Sequence, residues 1–232
     1  MSVDEFNFDW KRQSRTGIPE VVFAESKSDS QLLNIAKQAL VSGQELFMTR
    51  VFAQQASNLQ AQLGNTVHYH PESSTAYIGE SSLKHSRKDR LQAQSATPRI
   101  GIVAAGTSDA PVVAEIEQTL LYFGQSSQRF VDVGVASLWR LTDLADELND
   151  YSILIAVAGM EGALFSVLSG LVKAPVIAVP TSVGYGVGVG GHVALNSALC
   201  GCSPGLAVVN IDNGFGAAAL AVKMLQIQAP NI

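Results

Sequence analysis

From residue 100 onward the chain repeats one pattern: a short apolar run, a turn of small residues, a helix-length segment, then the next apolar run. The runs fall at 100–105, 130–133, 152–157, 175–179 and 206–211. Helical spacing fills 112–123, 137–148, 163–171, a segment ending at Leu199, and 217–226. A strand with no polar face is buried on both sides, which requires a parallel sheet covered by helices. Right-handed crossovers then give a doubly wound, three-layer α/β domain.

The first half reads as a smaller α/β domain. Strands are expected at 20–23, 45–49, 66–69 and 75–78, with helices at 28–41 and 53–63. Ser28 or Ser30 suits the first helix cap, and Gly64 the end of the second. The polar, charged run 84–98 is the expected boundary, giving domains of 1–97 and 98–232. His68 and His70 share one strand side, a spacing open to a metal or to a half-exposed strand face. Lys11, Arg12 and Arg15 precede Gly17; they suit either an anion clamp or a solvated arm anchored by Phe8 and Trp10.

Open α/β sheets bind ligands outside the carboxyl ends of their strands. The loops there carry Gly106, Thr107, Ser108 and Asp109, then Gly159, Met160 and Glu161. Further on they carry Thr181, Gly184, Tyr185 and Gly186, then Asp212, Asn213 and Gly214. Gly106 to Asp109 opens a helix, where free N–H groups attract anions; Asp109 is equally suited to be its cap. Glu161 is either a desolvated carboxylate suited to proton transfer or a helix-terminus charge. The glycine run from Gly184 to Gly191 follows the fourth strand rather than the first, so it is read as a flexible loop able to close over a ligand and not as a dinucleotide fingerprint.

Composition narrows the function. Only 15% of residues are charged against 47% hydrophobic, which suits a chain that hides surface in a homo-oligomer. The net charge of −5 argues against a nucleic-acid partner. The apolar runs are too short to span a membrane and the first residues carry no signal pattern, so a cytoplasmic location is expected. Cys200 and Cys202 are the only cysteines, too few for a four-ligand zinc site. Cysteine is ordinarily a small buried hydrophobe. Cys202, in a Ser-Pro-Gly turn ahead of the last apolar run, is the candidate nucleophile.

Four motifs and an opening segment carry a resemblance. They are Gly106-Thr107-Ser108-Asp109-Ala110-Pro111, Ala158-Gly159-Met160-Glu161-Gly162-Ala163, the segment from Pro180 to Gly186, the segment from Asn210 to Gly216, and Arg15-Thr16-Gly17-Ile18-Pro19-Glu20-Val21. Together they resemble the LarB family, which makes the pyridinium-3,5-biscarboxylate mononucleotide used to build the nickel-pincer cofactor. The second half also resembles PurE-type aminoimidazole-ribonucleotide carboxylases and mutases, with Trp139 standing where their motif carries a histidine.

The resemblance implies a PurE-like fold, an oligomer that is an octamer in the related fold, and a reaction on nicotinic acid adenine dinucleotide. Carbon dioxide or bicarbonate is the co-substrate, and AMP is released by phosphoanhydride hydrolysis. Cys202 maps to the family nucleophile; Cys200 has no such role. A thiolate adding beside the ring nitrogen leaves an enamine whose carbon five attacks carbon dioxide. Asp109 or Glu161 takes the ring proton, Arg12 and Arg15 lie near phosphates, and Mg2+ with one of these carboxylates or Asp212 serves the hydrolysis. A PurE-like activity on a purine ribonucleotide and a non-catalytic nucleotide-binding module are the alternatives.

Overall fold

The structure is a computed structural model; it describes residues 6–80 and 99–228. The expected boundary run 84–98 lies outside the described residues. The chain divides into two compact units, residues 1–93 and 94–232.

The first unit holds a short helix α1 (Arg12–Thr16), helices α2 (Asp29–Val41) and α3 (Ala53–Leu63), and strands β1 (Val22–Phe23), β2 (Leu46–Thr49), β3 (Val67–His70) and β4 (Thr75–Ile78). The sheet order is β1-β2-β4-β3, with β1 parallel to β2 and the other pairings antiparallel. Ser28 starts α2 with a reciprocal cap: its hydroxyl accepts from the Gln31 N–H, while the Gln31 side chain accepts from the Ser28 N–H. Leu32, Ile35, Ala36 and Ala39 then bury one face of α2 with Leu46, Met48, Leu59 and Ile78. The expected strand at 20–23 shortens to two residues, because the Glu20 carboxylate turns to accept from the Asp9 N–H.

The second unit is a five-stranded parallel sheet of order β6-β5-β7-β8-β9. The strands are β5 (Ile100–Ala104), β6 (Ser127–Phe130), β7 (Ile153–Ala158), β8 (Val176–Pro180) and β9 (Leu206–Val208). Every residue of β5, β7 and β8 is buried, as strands covered on both faces require. The helices are α4 (Ala110–Tyr122), α5 (Trp139–Thr142), α6 (Ala145–Leu148), α7 (Ala163–Leu171), α8 (His192–Cys200) and α9 (Gly214–Gln228). Helices α4 and α9 pack together, and α7 packs with α8. No helix among the described residues is long and apolar enough to cross a membrane.

Four expectations shift. The strand placed at 130–133 lies at Ser127–Phe130: it is an edge strand, so exposed Gln128 and Arg129 fit it and no apolar run is needed. The helix at 137–148 breaks into α5 and α6, where the Thr142 hydroxyl competes for the Leu138 and Trp139 carbonyls. The last strand stops at Val208, and beyond it the Asn210 side chain accepts from the Ile211 N–H. Helix α9 starts at Gly214 instead of residue 217, because the Asn213 side chain accepts from the Gly216 N–H.

Candidate active site

The sheet order reverses between β5 and β7, and a doubly wound sheet opens its ligand crevice at that switch point. The loops leaving β5 and β7 carry Asp109 and Glu161, and the loop leaving β8 carries Thr181.

Asp109 is the centre of a polar cluster and is 3% exposed. One carboxylate oxygen accepts from the Thr181 hydroxyl at 2.7 Å, and the other from the Gly106 N–H at 3.0 Å. Burial pushes its pKa above the ordinary carboxylate value; the two hydrogen bonds work against that rise, and the nearby Asp212 charge adds to it. Thr181 is itself fully buried, and its N–H donates to the Ala158 carbonyl at 2.9 Å. Asp212 sits in left-handed backbone (φ 55°) and accepts from the Ser182 N–H at 2.8 Å. The structure therefore joins the ends of β5, β8 and β9 through Asp109, Thr181 and Asp212.

Gly159 lets the β7 turn pack beneath the β8 loop. A Cβ there would meet the Val183 carbonyl oxygen at 2.1 Å. Met160 follows in left-handed backbone (φ 52°), and its N–H donates to the same carbonyl at 2.9 Å. The turn presents Glu161 exposed at the rim, so of its two readings the desolvated carboxylate is not supplied within this chain. Thr107 and Ser108 are exposed beside Gly106, and Tyr185 is 77% exposed.

Several expected ligand contacts have structural roles. The Asn213 side chain caps α9. Gly214 faces α4, where a Cβ would lie 2.7 Å from a Glu115 carboxylate oxygen, so its lack of a side chain already answers to that helix. Gly184 to Gly191, expected as a flexible closing loop, is folded: Gly186–Gly191 form 3-10 turns, and a Cβ on Gly184 would lie 2.3 Å from the Gly188 carbonyl oxygen. In the first unit, Arg15 is paired with Asp9 at 2.6 Å and Arg12 is exposed on α1. His70 contacts the Ser73 hydroxyl, and His68 stacks on Tyr77. No group of three or more His, Cys, Asp or Glu residues able to hold a metal ion occurs among the described residues.

Cys202, the candidate nucleophile, stands apart from this polar cluster within one protomer. Cys200 and Cys202 are both free and exposed. Residues 201–205 enter β9 at the amino edge of the sheet: the Gly205 carbonyl accepts from the N–H of Val176, the first residue of β8. The Ser203 hydroxyl donates to the Ser166 carbonyl on α7. Asp109, Glu161 and Asp212 lie at the carboxyl edge, a strand length away, about 15 Å at ~3.3 Å per residue. In a parallel sheet a residue before a strand and a residue after one stand on opposite edges.

A five-stranded parallel sheet with its polar cluster at the switch point defines the second unit as a doubly wound α/β domain. A family model described as the LarB/PurE-like N-terminal domain matches residues 2–80, and one described as AIR carboxylase matches residues 99–232. The chain belongs to the LarB family, with a PurE-like carboxylase/mutase-related C-terminal domain. An uncharacterized protein of Methanocaldococcus jannaschii is 34% identical over 97% of this chain and 85% of its own. An N5-carboxyaminoimidazole ribonucleotide mutase of Pyrococcus abyssi is 32% identical over 58% of this chain and 78% of its own. The solved structure of Treponema denticola PurE superposes with a TM-score of 0.49 at 22% identity, covering 57% of this chain and 83% of that one.

Proposed function

We propose that this protein carboxylates the pyridinium ring of nicotinic acid adenine dinucleotide with carbon dioxide and hydrolyses the phosphoanhydride, releasing AMP. The observation that carries the reading is the free, exposed thiol of Cys202 ahead of the Pro204-Gly205 turn, in a chain that both family models match. A pyridinium ring is too electron-poor to attack carbon dioxide. Addition of the Cys202 thiolate forms a C–S bond, neutralises the ring cation and leaves an enamine. Its carbon five forms the C–C bond to carbon dioxide. A carboxylate takes the proton from that carbon, the C–S bond breaks, and aromaticity returns with the thiolate released.

Glu161 is the better-placed base. Both oxygens of Asp109 already accept hydrogen bonds, whereas Glu161 stands at the open rim. Asp109 is then the buried support that fixes the β8 loop through Thr181. Asp212, with substrate phosphates and water, is the carboxylate that would hold Mg2+, which asks for only one or two protein carboxylates and supplies charge neutralisation at the phosphoanhydride.

Since Cys202 and Glu161 stand on opposite sheet edges, one copy would supply the thiol and another the base, in a homo-oligomer. The test is mass spectrometry of products from the dinucleotide and labelled bicarbonate. Wild type is expected to give labelled mononucleotide and AMP. Cys202→Ala and Glu161→Gln alone are expected to give no labelled product, and mixed oligomers of the two to regain it. Labelling by Cys202→Ala equal to wild type would sink the chemistry; failure of the mixture to recover would sink the shared site. The similarity to mutases favours one rival, a PurE-like reaction on a purine ribonucleotide. That rival predicts activity without Cys202.

A further inference from the structure

Trp139 is 63% exposed at the carboxyl edge of the sheet, and nothing in the reaction above uses it. Its loop is docked on the end of β5: the Val133 N–H donates to the Ala104 carbonyl at 3.0 Å, and a Cβ on Gly134 would lie 2.8 Å from the Ala105 carbonyl oxygen. That end of β5 runs straight into Gly106 and Asp109. The loop thus carries Trp139 on from the carboxyl end of edge strand β6, past the end of β5.

The indole is held deliberately. Leu141, two residues on, is fully buried and anchors α5 in the core. The Trp139 carbonyl accepts from the Asp143 N–H at 2.9 Å and from the Thr142 hydroxyl at 3.3 Å. Arg140 lies over the ring, with its guanidinium carbon 5.7 Å from the centroid. Asp132 fixes that guanidinium twice, by a 2.6 Å ion pair and by a 3.2 Å hydrogen bond to its carbonyl. To offer both acceptors Asp132 adopts left-handed backbone (φ 65°), which a non-glycine residue takes at a cost.

We propose that Trp139, backed by Arg140 and Asp132, is a stacking platform for the purine ring of an adenosine monophosphate group. An indole face is electron-rich and attracts cations, but here Arg140 occupies one face and draws density from the other. The remaining face suits a neutral, electron-rich heterocycle. A pyridinium on that face would meet the field of Arg140, so the platform selects the adenine end of the dinucleotide and leaves the cationic ring to the Asp109 and Glu161 side. The inference rests on the proposed dinucleotide reaction for its ligand, but its test does not need turnover.

The chain has two tryptophans, so Trp10→Phe leaves Trp139 as the only indole fluorophore. The full-length Trp10→Phe chain is titrated with AMP, ribose 5-phosphate and nicotinic acid mononucleotide, following emission and heat. AMP is expected to quench Trp139 emission; ribose 5-phosphate, which lacks the base, is not. Base stacking on an aromatic side chain sets the scale: Trp139→Ala should raise the AMP Kd roughly 5- to 150-fold. Trp139→Phe should retain most of the affinity, and the mononucleotide Kd should be unchanged by either variant. Unchanged emission with AMP, or an AMP Kd in Trp139→Ala equal to that of the parent, overturns the platform. So does an indole already shielded from acrylamide before ligand is added, which would mean that a second copy covers it. If AMP quenches Trp139 while wild type fails to carboxylate, the reaction assignment falls and the platform stands. If wild type carboxylates with the same KM as Trp139→Ala, the platform falls alone.

Discussion

Gly159→Ala tests how the site is built, because the added atom has a defined collision. The new Cβ would stand 2.1 Å from the Val183 carbonyl oxygen, 3.0 Å from its carbon and 2.8 Å from the Thr181 hydroxyl oxygen. The first two atoms are backbone, and the same carbonyl accepts from the Met160 N–H, so it cannot retreat without losing that bond. The hydroxyl is the one bonded to Asp109. Overpacking costs about 1–3 kcal/mol, and a lost hydrogen bond about 0.5–1.5 kcal/mol. Gly159 is not in left-handed backbone, so alanine regains about 0.4–1 kcal/mol through the unfolded chain. The terms combine to a net loss of about 0.5–4 kcal/mol, centred near 2 kcal/mol, and the central value lowers Tm by roughly 4–8 °C for a chain of this size. Gly124→Ala is the control: its φ is +75° with no atom within 4 Å of the new Cβ, so only left-handed strain of about 1–2 kcal/mol applies. Calorimetric melting of both variants decides the matter. A Gly159→Ala protein that melts with wild type, or above Gly124→Ala, would refute the packing of the β7 turn under the β8 loop.

Two further outcomes follow from particular hydrogen bonds. Ser28→Ala removes half of the reciprocal cap on α2 and should cost about 1 kcal/mol; hydrogen exchange should quicken in the first turn of α2 and stay unchanged in β7 and β8. Asp109 is a carboxyl with a raised folded pKa, so its burial cost is absent below the ordinary value near 3.8 and grows as pH rises through the folded value. Asp109→Asn should therefore gain in Tm relative to wild type between pH 4 and pH 7, while Thr181→Val, which removes a bond that lowers that pKa, should lose more with rising pH than wild type does. Parallel Tm curves for all three proteins would remove the charge-burial reading.

Buried strands and capped helices could be read in the chain because each carries its own signal. Residues of β5, β7 and β8 are apolar without interruption, and a serine at 28 or 30, or Gly64 after Leu63, marks a helix end through local chemistry; the structure selects Ser28. The margins were less legible. Strand β6 pairs on one side only, so solvent accepts Gln128 and Arg129 and its apolar signature disappears. The Asn210 to Gly214 segment looks like a ligand loop, yet its glycine answers to Glu115, about a hundred residues earlier, a contact that no local pattern encodes. In the site, the loop carrying Asp109 was visible from its position after the first apolar run. Its bond to Thr181 joins residues 72 positions apart, and only the strand order makes them neighbours.

The placement of Cys202 was available from topology and easily missed from proximity in sequence. Cys202 comes shortly before β9 and Asp212 shortly after it, so they look like one corner; strand direction puts them on opposite edges. Chemistry that needs the thiol beside Glu161 must then either unfold one edge or bring two copies together. The first would break the hydrogen bonds that tie Gly205 to β8 and Ser203 to α7. The second is the arrangement proposed above; the exposed apolar side chains of this unit, Tyr185, Val187 and Val189 after β8 and Leu199 on α8, are surface that such an arrangement would cover. On the proposed reading a second copy would cover Glu161, which is exposed in the single chain. A base that becomes effective only once the oligomer closes protects the thiol adduct from premature proton transfer, and it predicts that Glu161→Gln and interface-breaking substitutions at Leu199 abolish carboxylation alike while only the latter dissociate the oligomer.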